Sequence, residues 1–122
     1  MGIWFCTYSS IRYRKEKYEM EKQIENAVYL HLRRKYKEIY YFNKNGECDF
    51  VVMKNGLPQH CIQVCYNLND MNMERELQGL KSALDFFKMK EGVIVTHDQT
   101  DLFEIEGIVI KLIPAWEYFP EG

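Results

Sequence analysis

Two short segments hold the side chains best able to do chemistry: Gly46-Glu47-Cys48-Asp49-Phe50-Val51-Val52 and, soon after, Cys61-Ile62-Gln63-Val64-Cys65-Tyr66. Asp49 is a lone carboxylate between Cys48 and Phe50 in a Val-rich stretch. Burying it is expensive unless it meets a metal ion, a basic partner or several hydrogen-bond donors. Arg75 is a candidate partner. Gln63 and Cys65 stand two residues apart, so on a strand their side chains share one face. Glu25 lies inside the apolar arc formed by Ile24, Val28, Tyr29 and Leu32. A carboxylate there either snorkels at the helix edge or is held for a metal or a basic partner. The run Arg33-Arg34-Lys35-Lys37 is either a phosphate-contacting surface or an ordinary solvated face.

The four cysteines raise the question of a disulfide or a zinc site. On one strand Cys61 and Cys65 are separated by roughly 13 Å, at about 3.3 Å per residue. That exceeds the roughly 7 Å Cα limit of a disulfide and is too long for a shared metal ion. Cys48 points to the opposite face from Asp49. The cysteines therefore read as small buried thiols in a reducing compartment. A nucleophilic Cys65 would need a histidine, and only His31, His60 and His97 exist; strand parity turns His60 away.

Positioning these residues requires a helix, three strands, a second helix and two further strands. Lys17 to Lys35 is uninterrupted by Gly or Pro and rich in Glu, Lys, Leu, Met and Arg, which predicts a helix. Glu38 to Phe42, Glu47 to Lys54 and Gln59 to Tyr66 read as strands joined by Asn43-Lys44-Asn45-Gly46 and Asn55-Gly56-Leu57-Pro58. Asn-Gly supplies the positive φ angles of tight hairpins, so the three form an antiparallel meander. Met73 to Met89 follows as a helix, capped by Asp70 or Asn72, with Leu77, Leu80, Ala83, Leu84 and Phe87 as its buried stripe. Gly92 to Thr96 has the continuous apolar character of a central strand, and Ile108 to Ile113 is the last strand before Pro114. Residues 1–16 have no clear apolar period and read as a loosely docked arm or the stump of a longer chain.

The chain has 122 residues, 47% of them hydrophobic and 15% aromatic, which suits one domain over 17–122 and is too short for two. A net charge of −2 gives no global nucleic-acid signal. No apolar run approaches the roughly 20 residues that cross a membrane, and the opening segment is not a secretory signal. A cytoplasmic location is expected.

The order of a helix with a Glu, a hairpin with an Asp, a third strand, a helix and a strand resembles the PD-(D/E)XK nuclease superfamily, the restriction-endonuclease-like fold. More narrowly, Glu25-Asn26-Ala27-Val28, Glu47-Cys48-Asp49-Phe50-Val51, Ile62-Gln63-Val64-Cys65-Tyr66 and Arg75-Glu76-Leu77 resemble the C-terminal domain of a group of prokaryotic AAA+ type ATPases. The resemblance covers about Lys17 to Tyr118. It implies an αβββαβ core of α/β class, a mixed sheet flanked by helices, with an extra C-terminal strand. The sequence holds no Gly-x-x-x-x-Gly-Lys-Ser/Thr loop, so the resemblance implies a domain detached from its ATPase module.

In that superfamily one or two divalent cations, held by carboxylates, polarise the phosphodiester and help deprotonate a water. The resemblance places Glu25 and Asp49 at carboxylate positions, Gln63 at the third-strand acid and Cys65 at the lysine. A Mg²⁺ or Mn²⁺ ion would thus meet Glu25, Asp49 and Gln63. Gln63 offers a carbonyl oxygen but no charge, and Cys65 leaves the water-activating role vacant. Lys81 could approach from the second helix; otherwise it is a solvated lysine. Two readings follow. One is a degenerate, non-catalytic domain that binds DNA or RNA through Arg33, Arg34, Lys35, Lys37 and Arg75, or docks on an ATPase module. The other is a divergent metal-dependent endonuclease using Glu25, Asp49 and Gln63.

Overall fold

The computed structural model describes residues 8–119, with side chains described from residue 18 onward. The elements run α1 (Tyr8–Arg33), β1 (Glu38–Asn43), β2 (Glu47–Lys54), β3 (Leu57–Val64), α2 (Met73–Phe86), β4 (Glu91–Thr96), β5 (Asp101–Ile105), β6 (Ile108–Pro114) and α3 (Ala115–Tyr118). The strands form one mixed sheet in the order β1-β2-β3-β4-β6-β5. Strands β1, β2 and β3 are the expected antiparallel meander; β4 pairs parallel with both β3 and β6, and β5 returns antiparallel on β6. The α/β class, with a mixed sheet between helices, is as expected.

Each face of the sheet buries a different layer. Against α2, the side chains of Cys48, Val51, Cys61, Cys65, Ile94, Ile110 and Leu112 meet Leu80, Ala83 and Leu84. On the other face Val52, Ile62, Val64 and Val95 pack on Val28 and Leu32 of α1, with Ala115 and Tyr118 of α3 beside them. The apolar run of β4 reflects its place between two parallel neighbours, covered on both sides.

The turns explain the register. Asn55 (φ 55°) and Gly56 (φ 78°) form the two-residue connection in which Lys54 faces Leu57, with both central residues in the left-handed region a twisted hairpin needs. Gly46 and Gly79 serve a different purpose: α2 crosses the start of β2 so closely that a Cβ on Gly79 would lie 2.2 Å from the Glu47 carbonyl oxygen. A helix-interior glycine costs about 1 kcal/mol in propensity, and here the close approach requires it.

Three expectations need correction. Helix α1 begins at Tyr8 rather than Lys17, so much of the expected arm is helical; the absence of Gly and Pro from 8–16 outweighs its irregular aromatic spacing. The rest of that arm, 1–7, lies outside the described residues. Strand β5 and helix α3 were not expected. The β5–β6 hairpin turns at Glu106-Gly107, where Glu106 takes a φ of 50°, and Glu-Gly is a weaker turn signal than Asn-Gly. Finally, α2 ends at Phe86, with Lys88 at a φ of 58° closing it before Met89.

Candidate functional site

The site residues gather where β2 and β3 part company. The β1–β2 register passes from Tyr40 opposite Val51 to Phe42 opposite Cys48, which leaves Asp49 and Phe50 against Tyr41 alone. This bulge re-aims Asp49 and ends the regular β2–β3 ladder, whose last pair is Phe50 with Ile62. Side chains then replace the ladder. The Asp49 N–H donates to Gln63 Oε1 at 2.8 Å, Gln63 Nε2 donates to the Glu47 carbonyl at 2.8 Å, and the Val64 N–H donates to Asp49 Oδ2 at 2.8 Å. Gln63 is only 4% exposed. Its amide works as a stand-in peptide unit, with a donor and an acceptor at the spacing β2 needs.

Helix α1 runs along β3 and brings Glu21 and Glu25 to this end. The Tyr66 N–H, just beyond β3, donates to Glu21 Oε2 at 2.7 Å. Glu25 pairs with Lys22 at 3.3 Å. From α2, Glu76 pairs with Arg75 at 3.3 Å. Burial pushes the Asp49 carboxyl up to about 7; the Val64 N–H opposes this, while Glu25, Glu76 and Glu21 add to it. Burial likewise raises Glu76, with Arg75 opposing and Glu21 and Glu47 reinforcing. The Tyr41 phenol is held up to about 12, first by its hydrogen bond to Glu47. The result is a negative end, bounded by α1, β2 and α2, in which Asp49 is the acid readiest to keep its proton.

The expected residues are only partly brought together. Glu25 and Asp49 feel one another electrostatically, and Gln63 bonds to the backbone on both sides of Cys48. Cys65, 2% exposed, belongs to the apolar layer under α2; its backbone N–H donates to the Val95 carbonyl and Asn72 Nδ2 lies 3.7 Å from its sulfur. Arg75 reaches Glu76 rather than Asp49. Lys81 binds Asp85 at 2.9 Å and Glu106 at 3.4 Å, toward the β5–β6 hairpin. The basic run sits at the far end of α1: Arg33 is eight residues from Glu25, about 12 Å along the axis. None of Arg33, Arg34, Lys35 and Lys37 is among the groups acting on Asp49, and Arg33 donates to the Lys37 carbonyl. Asn72 starts α2 but spends its side chain on Asn69 and Asn67 rather than on the helix N–H groups.

Cys48, Cys61 and Cys65 are buried thiols. Cys48 is held above the ordinary thiol range by the adjacent Cys61 and by burial, a proximity that strand spacing alone did not reveal because the bulge creates it. The His97 ring stacks on Tyr66 at 4.8 Å, and His60 Nε2 meets the Tyr36 hydroxyl at 3.1 Å. Sequence reasoning also missed Glu21 and Glu76. Glu21 had a signal: it lies four residues before Glu25, so two like charges share one helix face at a cost.

The divalent cation implied by the resemblance does not fit this donor set as it stands. Both ends of the Gln63 amide are engaged, one Asp49 oxygen holds Val64, Glu21 holds Tyr66 and Glu25 faces Lys22. Among the described residues no group of three His, Cys, Asp or Glu side chains is arranged to hold a metal ion. Nor is any described helix long and apolar enough to cross a membrane.

Comparison with known proteins gives one informative match. An uncharacterized protein of Methanocaldococcus jannaschii is 31% identical over 106 residues, covering 78% of this chain. The chain spans only 24% of that relative's length. No protein-family profile matches the chain, and no solved structure matches it.

Proposed function

We propose that this chain is a degenerate PD-(D/E)XK domain, non-catalytic, that serves as an accessory domain binding nucleic acid or an ATPase module. The observation that carries the reading is the Gln63 amide. At the position where a nuclease would hold a metal-binding acid, this side chain bridges Asp49 and Glu47 of the neighbouring strand. A carboxylate could not donate to the Glu47 carbonyl, so the bridge and an ionised metal-binding acid exclude one another at this position. Cys65, at the lysine position, is buried among apolar side chains and supplies no cation. Buried thiols at Cys48, Cys61 and Cys65 support a reducing, cytoplasmic setting.

One observation favours a divergent nuclease. Asp49 lies among Glu21, Glu25 and Glu76, a negative field that a divalent cation would relieve. The two readings separate when the protein is incubated with Mg²⁺ or Mn²⁺ and supercoiled or single-stranded DNA, beside Asp49→Ala. The proposal expects no cleavage by either protein. Cleavage by the parent that vanishes in the variant overturns it.

A further inference from the structure

A groove of about 750 Å³ is lined by the end of α1, Tyr118 of α3 and the ends of β3, β4 and β6 away from Asp49. Its floor is apolar, with Ile62, Val93 and Val109 from three adjacent strands. Its cations are Lys35 after α1, Lys90 before β4 and Lys111 on β6; the one carboxylate among the lining residues is Glu91. All three lysines are solvent-exposed, and among the described residues none of them has an acidic partner in an ion pair. Such charges gathered over an apolar floor attract an anion with an apolar body rather than a bare ion.

Aromatic rings give the groove a second preference. His60 stands edge-on to Tyr36, with centroids 5.7 Å apart, and its Nε2 meets the Tyr36 hydroxyl. His31, which also lines the groove, stands edge-on to Tyr118 at 5.4 Å. These rings and the valine floor suit a flat apolar group, while the lysines suit a phosphate. The volume falls within the roughly 300–1,000 Å³ range of small-molecule sites and exceeds what a simple inorganic ion needs.

We propose that this groove is a ligand site, separate from the carboxylate end, for a small organic phosphate with an aromatic body, a nucleoside monophosphate being the simplest of the class. Both imidazoles are consistent with it. Burial lowers His31 and His60 from their ordinary values, and Lys35 lowers both further, with Arg34 also acting on His31. A bound phosphate would offset that positive field and move both histidines back up.

The site is tested by titrating the full chain with AMP, adenosine and inorganic phosphate, each followed by calorimetry and by the imidazole Cε1 proton shifts. AMP is expected to bind more tightly than either fragment and to raise the titration midpoints of His31 and His60. Lys90→Glu lies in the connection before β4 and leaves the core untouched; Lys35→Glu is a second exposed variant. Each should weaken AMP about tenfold or more, the scale of one charge-assisted hydrogen bond, whereas Asp49→Asn should leave AMP binding unchanged. The proposal is overturned if AMP causes no shift, if inorganic phosphate binds as well as AMP, if adenosine does so, or if the lysine variants bind AMP normally. A single-stranded oligonucleotide that binds these lysines when AMP does not would overturn it in favour of a nucleic-acid surface.

Discussion

Replacing Gln63 with Glu places an acid on β3 opposite Asp49, and it is expected to damage the fold at neutral pH rather than build a site. Gln63 is 4% exposed, and its Nε2 is the donor that satisfies the Glu47 carbonyl at 2.8 Å. An ionised carboxylate there sets oxygen against oxygen, which leaves a buried acceptor unsatisfied at about 1–3 kcal/mol. It also adds charge beside Asp49, itself pushed up to about 7. The alternative is to protonate the introduced acid, which then donates to Glu47 in place of the amide. From an ordinary Glu pKa of about 4.3, protonation costs up to about 3.7 kcal/mol at pH 7 but only about 1 kcal/mol at pH 5. The predicted loss is therefore about 2–4 kcal/mol at pH 7, shrinking to about 1 kcal/mol at pH 5. At roughly 4 °C per kcal/mol for a chain of this size, Tm falls by roughly 8–16 °C at pH 7. Thermal unfolding followed by circular dichroism at both pH values reads this directly. A variant as stable as the parent at pH 7, or one stabilised by Mn²⁺, would refute the bridge.

Asp49 gives a second pH signature. Its folded value, about 7, lies above the ordinary value near 3.8, so the folded state holds the proton more tightly than the unfolded chain. The stability this group contributes is complete below about pH 4 and is lost as pH rises toward 7, by up to about 4 kcal/mol. Asp49→Asn, which keeps an oxygen for the Val64 N–H, should therefore gain on the parent between pH 5 and pH 7.5 in urea unfolding; a difference independent of pH would count against it. Gly79→Ala should destabilise by about 2 kcal/mol despite its better helix propensity, because overpacking costs about 1–3 kcal/mol and the new Cβ meets the Glu47 carbonyl; chemical denaturation that shows a gain would contradict the close approach. Lys81→Ala should change stability by less than about 0.5 kcal/mol and leave the Asp49 titration unmoved, since its partners are Asp85 and Glu106; carboxyl-detected NMR checks the second point.

The meander was legible because Asn55-Gly56 is an unambiguous turn signal and because β2 and β3 have strand-like composition. The stripe of Leu80, Ala83 and Leu84 on α2 was equally plain. Strand β5 was hidden by its edge position: it alternates exposed and half-buried residues, and Glu106-Gly107 turns it with little compositional warning. At the site, residue types were readable but their partners were not. Nothing local announces the bulge at Asp49-Phe50, because it depends on the pairing with β1. Without it, neither the bridging role of Gln63 nor the contact between Cys48 and Cys61 follows from spacing. The like-charged spacing of Glu21 and Glu25 was visible, but its use, capping the Tyr66 N–H, required knowing that α1 runs along β3.

Gln63 holds β2 and β3 together through its side-chain amide, and on the proposed reading this bridge takes the place of a metal ligand. A crystal soaked in Mn²⁺, with anomalous diffraction collected at the manganese edge, addresses it most directly. No manganese is expected between Glu25, Asp49 and Gln63, with Gln63 Nε2 still on the Glu47 carbonyl and its Oε1 on the Asp49 N–H. An ordered manganese ion bound by Asp49 and the Gln63 oxygen, with the bridge to Glu47 broken, would contradict it.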